Sequence, residues 1–153
     1  MKPAQAIKTC LTKSFQFKGR AARSEYWWFF LATLMLELIC FAVDLYVFEK
    51  DLMEPIISFW PASDIFVLIT ALPIAAVGAR RLQDISFAGW PAVLATIFLL
   101  ASTISEWGNP VDSPLSIFFV VWACFTLALW ILALFPSSSA LNKYGPNPHE
   151  VPS

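Results

Sequence analysis

Between residues 26 and 135 the chain alternates long apolar runs with short polar breaks, and the length of the runs decides what they are. Four stand out: 26–48, 60–79, 90–107 and 115–135. A helix needs about 20 mainly apolar residues to cross roughly 30 Å of hydrocarbon. The first run reaches that length between Arg23 and Glu25 on one side and Glu49, Lys50 and Asp51 on the other. The second is clean over 65–79 and reaches full length only by taking in Ser63 and Asp64. The third is slightly short, and the fourth carries no charge at all. An unpaired backbone group in lipid costs several kcal/mol, so open strands cannot cross. The pattern predicts an all-α integral membrane protein: one domain with four transmembrane helices.

The flanks read differently. Residues 1–25 place Ile7, Leu11 and Phe15 at i, i+4, i+8, with Lys8 and Lys13 off that row, and Pro3 suits a first helical turn. A short amphipathic helix lying on the membrane surface is expected there. The first long run is no cleaved signal, because it is too long and closes without a small-residue cleavage pattern. Residues 136–153 form a polar tail.

Composition agrees with this pattern. Hydrophobic residues make up 58% of the 153, charged ones 14%, and mean hydropathy is +0.66. Soluble domains carry about 25% charged residues, and a chain this short cannot hide so much apolar surface in a water-soluble core. A net charge of −1 gives no reason to expect nucleic acid. Cys10, Cys40 and Cys124 are far apart, and the single histidine, His149, sits in the tail. That spacing offers neither a metal site nor a disulfide framework, and no cofactor is expected.

Charge distribution sets the expected orientation. Lys2, Lys8, Lys13, Lys18, Arg20 and Arg23 precede the first span, Arg80 and Arg81 follow the second, and Lys143 lies in the tail. All nine share one side if there are four spans, and only Lys50 falls opposite. The opposite loops hold Glu49, Asp51, Glu54, Asp64, Glu106 and Asp112. Cytoplasmic loops are the ones enriched in Lys and Arg, so both termini are predicted to be cytoplasmic. Trp27 and Trp28 at one face, Trp60 at the other, and Trp90 and Trp107 around the third span fit interfacial belts. Trp122 and Trp130 lie inside the fourth span on one helical face, where helix packing or lipid contact is the expected role.

Three stretches carry more than topology. "GRAARSEYWWF" (19–29) resembles the signature of a bacterial inner-membrane family of unassigned activity, domain-of-unknown-function family 805. Its pattern is Gly-Arg, two residues, Arg, one residue, Glu, an aromatic and Trp, matched by Gly19, Arg20, Arg23, Glu25, Tyr26 and Trp27. "GARRLQDISFAGW" (78–90) is similar to a second motif through Arg80, Arg81, Leu82, Asp84, Gly89 and Trp90. Here Gln83 stands for the usual His, Ala88 for Ser and Pro91 for a second Trp. "NKYGPNP" (142–148) is similar to the family's tail, with Lys143 for Arg and Asn147 for Asp. The resemblance implies a small protein of the bacterial inner membrane and supplies no activity. The missing His removes a proton-carrier role at position 83. The segment "SEWGNPVDSP" makes a longer outer loop than the family's tight turn.

All three motifs fall at the predicted cytoplasmic face. Arg80 and Asp84 are spaced for an i, i+4 pair, whereas Arg23 and Glu25 cannot face each other on one helix and need partners elsewhere. A layer of Arg20, Arg23, Glu25, Arg80, Arg81 and Asp84 is expected to cross-link the span ends as a packing clasp. The alternative is an anionic-headgroup site built from the same arginines. Pro73 is expected to kink the second span, and Ala71, Ala75 and Ala79 form a small-residue stripe that admits a close neighbour.

Glu37 is the one deep carboxylate, eleven residues past Tyr26 or about 16 Å along the helix. Asp44 is seven residues further on the same face. An intramembrane carboxylate is a candidate functional residue. With no cation at matching depth, Glu37 is expected to be protonated or bonded to Thr70, Thr96, Thr126 or backbone, and Asp44 to reach outer-face water.

No nucleophile–base pair, ligand cluster or phosphate-cradling loop points to an enzyme. The reading is a non-enzymatic membrane protein that binds lipid headgroups or a protein partner, a second copy or another membrane protein, at its cytoplasmic face. A small transporter or proton- or ion-conducting oligomer using Glu37 and Asp44 is the alternative. A reporter fused after Ser153 should be active only as a cytoplasmic fusion, and one inserted near Glu54 only as an external one. An external signal from the C-terminal fusion would mean an odd number of spans.

Overall fold

The computed structural model of the chain describes residues 1–48, 60–106, 116–138 and 141–146, with the side chains of 105, 106 and 116–119 outside that description. The predicted roles of residues 49–54, Trp107, Asp112, the "SEWGNPVDSP" loop and His149 lie outside the described residues. Among the described residues five helices follow in order: α1 (Pro3–Thr12), α2 (Arg23–Val47), α3 (Pro61–Asp84), α4 (Trp90–Glu106) and α5 (Ser116–Leu134). Among the described residues there is no strand, only an isolated bridge between Asn142 and Gly145. The chain is all-α.

α2 and α3 are long and apolar enough to cross a membrane. α4 and α5 are apolar over shorter described stretches, Trp90–Ile104 and Val120–Leu134. α3 runs five residues beyond its predicted apolar limit at Ala79, through Arg80, Arg81 and Asp84, and it continues unbroken past Pro73.

The helix starts follow from local chemistry. Proline occupies the first turn of both α1 and α3, where its missing N–H would have had no partner anyway. In α1 the Lys2 amide donates to Gln5 Oε1 at 3.3 Å. α3 is capped from another helix. Asp44 Oδ1 accepts from the Ala62 amide at 2.7 Å, and Oδ2 accepts from the Ser63 amide at 2.9 Å. Asp64, in the first turn, accepts from the Trp60 amide at 3.0 Å. A carboxylate at a helix N-terminus satisfies orphan amides and meets the positive end of the helix dipole.

Asp44 has no exposed surface, so its predicted access to outer-face water is corrected. The returning chain brings α3 onto it, and two backbone amides take the place of water. Trp60 departs from the belt expectation in the same way. It is buried and stacks on Phe41, with ring centroids 5.1 Å apart.

α3 is the hub of the packing. Among the described residues it touches α1, α2, α4 and α5, while α1 does not reach α4 or α5. Small side chains permit this crowding: Ala71, Ala75, Ala76 and Ala79 on α3 are buried, as are Ala92 and Ala95 on α4 and Ala133 on α5. Gly78 faces Ala92 so closely that an added Cβ would lie 3.1 Å from the alanine Cβ. At Gly89 an added Cβ would come within 2.6 Å of the Gln83 amide nitrogen and 3.1 Å of the Ala79 carbonyl. Helices without large interfacial side chains pack by such backbone approach.

The distribution of burial inverts that of a soluble domain. The bulkiest fully buried side chains include Arg80, Arg81, Asp44 and Asp84. Meanwhile Leu34, Met35, Leu38 and Ile39 on α2, Ile65 and Ile69 on α3, Ile97 on α4 and Leu127 and Ile131 on α5 are exposed. Contiguous apolar surface on this scale marks contact with a partner or a membrane.

Candidate functional site

The C-terminal end of α3 gathers the charged residues of the first two motifs. Asp84 is fully buried and accepts from two guanidiniums. Arg20 Nε reaches Asp84 Oδ1 at 2.8 Å, and Arg81 Nη1 bonds Asp84 Oδ2 from one turn earlier on α3. Arg80, on the neighbouring face, donates from Nη1 to Glu25 Oε1 at 2.7 Å. The side chains of all three arginines are at most 2% exposed. Among the described residues three guanidiniums face two carboxylates, and Arg81 also reaches the end of α5: Arg81 Nε and Nη2 each donate to the Ala133 carbonyl at 3.2 Å, and Nη2 also reaches the Phe135 carbonyl. A cation at a helix C-terminus meets orphan carbonyls and the negative end of the dipole.

α1 joins through a thiol. Cys10 has no exposed surface, and its Sγ lies 3.8 Å from Glu25 Oε1 and 3.9 Å from the Glu25 carbonyl. Burial, and after it the Glu25 charge, pushes the thiol up to about 12, so Cys10 stays protonated and serves as a donor.

Backbone groups at the α3 terminus are satisfied by the tail. Ser138 donates to the Asp84 carbonyl from its amide (3.3 Å) and its hydroxyl (2.9 Å). Asn142 Nδ2 donates to the Gln83 carbonyl at 2.9 Å. Arg20 holds the same tail from the other side, donating to the Ser138 carbonyl at 2.5 Å and the Gly145 carbonyl at 3.3 Å. The side chain of Gln83 ties in the segment before α2: Nε2 donates to the Phe17 carbonyl (2.9 Å), and Oε1 accepts from the Gly19 amide (3.0 Å). Gly19 sits at φ +120°, a left-handed conformation that a side chain would strain.

Arg20, Glu25, Arg80, Arg81 and Asp84 are thus together, whereas Arg23 is exposed and outside the cluster. The i, i+4 pairing of Arg80 with Asp84 is not made. Asp84 takes Arg81 and Arg20 instead, because Arg80 points toward α2 and Glu25. Trp28 and Trp90 are exposed, 39% and 63%, while Trp27 is half-buried and edge-on to Tyr26 and Phe30. Trp130 packs against Phe30 at 5.0 Å.

Glu37 lies half-buried just past the middle of α2, within electrostatic reach of Asp44 and Asp64. Its hydroxyl neighbour is Ser63, whose Oγ makes no hydrogen bond among the described residues, rather than a threonine. Thr70 and Thr96 bond back to their own helices at Phe66 and Ala92. Gln83, Ser138, Asn142 and Cys10 were not singled out as site residues. Gln83 and Asn142 lie inside the motif stretches, and that position was the one available signal for them.

The fold and site together define an all-helical protein with two helices long and apolar enough to cross a membrane and with buried charge at one end of its bundle. The family described as "Protein of unknown function (DUF805)" matches residues 14–146, and the chain belongs to it. No curated protein and no solved structure matches the chain.

Removing one partner from a buried ion cluster leaves the other charges uncompensated, at about 3 to 5 kcal/mol. Asp84→Asn keeps the shape and deletes the charge shared by Arg20 and Arg81. It should therefore lower the unfolding free energy in detergent by roughly that amount. The exposed Arg23→Gln, measured in parallel, should change it little.

Proposed function

We propose that this chain is a small, non-enzymatic protein of the bacterial inner membrane that crosses four times with both ends in the cytoplasm. It acts by binding lipid headgroups or a membrane-protein partner at its cytoplasmic face. One observation carries the reading: the exterior is apolar while Arg20, Arg80 and Arg81 are sealed inside one end of the bundle. Water-soluble helices bury their leucines and expose their arginines. The Lys and Arg count assigns the arginine-bearing end to the cytoplasm.

In this reading the arginine cluster is a frame rather than a receptor, since each guanidinium is buried and bonded to a carboxylate, with only Arg80 Nη2 left without a partner among the described residues. Recognition falls to the side chains left exposed around it. The transport alternative has lost a member, because both Asp44 oxygens are committed to the α3 amides and Glu37 alone remains.

Lysine satisfies the positive-inside rule as well as arginine does, but it cannot reproduce the planar, forked contacts. The quadruple variant with Arg20, Arg23, Arg80 and Arg81 changed to Lys should insert with unchanged topology. Its melting temperature should fall by on the order of 10 °C. An unaltered melting temperature would reduce these residues to topological signals. Ion flux in liposomes that disappears with Glu37→Gln would instead favour the transporter.

A further inference from the structure

α1 has two faces with different fates. Ala6 and Cys10 form one row, have no exposed surface and dock the helix onto the bundle through Glu25. The adjacent row, Ile7, Leu11 and Phe15, turns away from that contact. Leu11 is 56% exposed and Phe15, just past the helix, is 83% exposed. Lys2, Lys8, Lys13 and Lys18, in the same segment, are all exposed. Residues 1–24 contain no acidic side chain. At the same end of the bundle, Phe87 in the α3–α4 connection and Trp90 at the start of α4 are 55% and 63% exposed.

We infer that α1 and the segment after it form a preorganised clamp for anionic phospholipid, in which Lys2, Lys8, Lys13 and Lys18 hold headgroup phosphates and Leu11 and Phe15 enter the acyl boundary. This rests on the membrane reading above and moves the lipid contact from the arginines to the lysines. The arginines are excluded by geometry. Arg20 and Arg81 are held by protein acceptors, and Arg80, paired through Nη1 with Glu25 while its Nη2 has no partner among the described residues, is as deeply buried, so none reaches a headgroup phosphate without dismantling the cluster.

Charge complementarity chooses lipid over protein. An unbroken basic segment beside exposed apolar side chains matches the boundary between an anionic headgroup layer and its acyl chains. Each lysine near such a surface raises occupancy up to about fivefold, and salt screens the effect. A free amphipathic peptide must order itself on binding. α1 is already helical and anchored at Cys10, so that cost is absent here.

The test uses the full chain reconstituted in vesicles of equal parts phosphatidylcholine and phosphatidylglycerol. The protein is then extracted in mild detergent, and its retained lipids are counted by mass spectrometry. The wild type should retain phosphatidylglycerol in several-fold excess. Changing Lys2, Lys8, Lys13 and Lys18 to Gln should abolish that excess, as should high salt, with the melting temperature unchanged. Leu11→Ser with Phe15→Ser should also lower retention, while the exposed Arg23→Gln should leave it intact. Undiminished enrichment in the lysine variant would overturn the inference. So would a lysine-dependent protein partner or dimer with no lipid preference. A chain that does not float with the vesicles at all would refute the membrane reading. One that floats without anionic preference would refute only the headgroup assignment.

Discussion

Asp84 carries its charge with no surface exposed to water, and the cost of that burial is what brings distant parts of the chain together. A carboxylate in a low-dielectric interior needs opposite charge at contact distance. Arg81 supplies it from the same helix. Arg20 supplies it from the segment before α2, and in doing so holds that segment and the tail against the end of α3. Arg81, with one face on Asp84, turns the other to the terminal carbonyls of α5. One buried carboxylate thus fixes where three chain segments and a helix end must lie. The Arg80–Glu25 pair adds α2, and the Cys10 thiol adds α1.

The same economy governs the opposite end. A helix that ends away from water must find partners for its orphan amides or carbonyls within the protein. α3 receives the Asp44 carboxylate at its start and the Ser138 and Asn142 side chains at its finish. Between these pinned ends the buried face of α3 carries the small residues Ala71, Ala75, Ala76 and Ala79, which lets several helices approach one axis. Gly89 shows how tight the fit is, since its missing side chain leaves room for Gln83 to reach Phe17 and Gly19. Polar groups specify the ends, and small residues permit the middle. Many of the large apolar side chains cover the outside.

Much of this was legible in the sequence. Run lengths placed α2, α4 and α5 within a few residues of their observed bounds, and the three motif stretches were expected at one end. Hydropathy ended the second helix too early. It treats Arg80, Arg81 and Asp84 as charges seeking water, whereas mutual pairing lets the helix carry them inside. The pairing itself was misassigned, because i, i+4 spacing says what two residues can do on an isolated helix and nothing about a competing Glu25 across the interface. Asp44 was expected to meet water since its burial depends on where the chain returns after the loop, a tertiary fact with no local trace. Gln83 read as the loss of a histidine. Its amide, one donor and one acceptor in use, has a role that appears only once residues 17 and 19 are beside it.

The central claim is that the buried charges at the end of α3 act as a coupled unit, and a double-mutant cycle on Glu25 and Arg80 addresses it most directly. Unfolding free energies in detergent would be measured for the wild type, Glu25→Gln, Arg80→Gln and the double variant. Each single change strands a buried charge, whereas the double change removes both. The account predicts that the double variant is no less stable than the worse single one, with a coupling energy of about 2 kcal/mol or more. Strict additivity, with the double loss equal to the sum of the single losses, would contradict it.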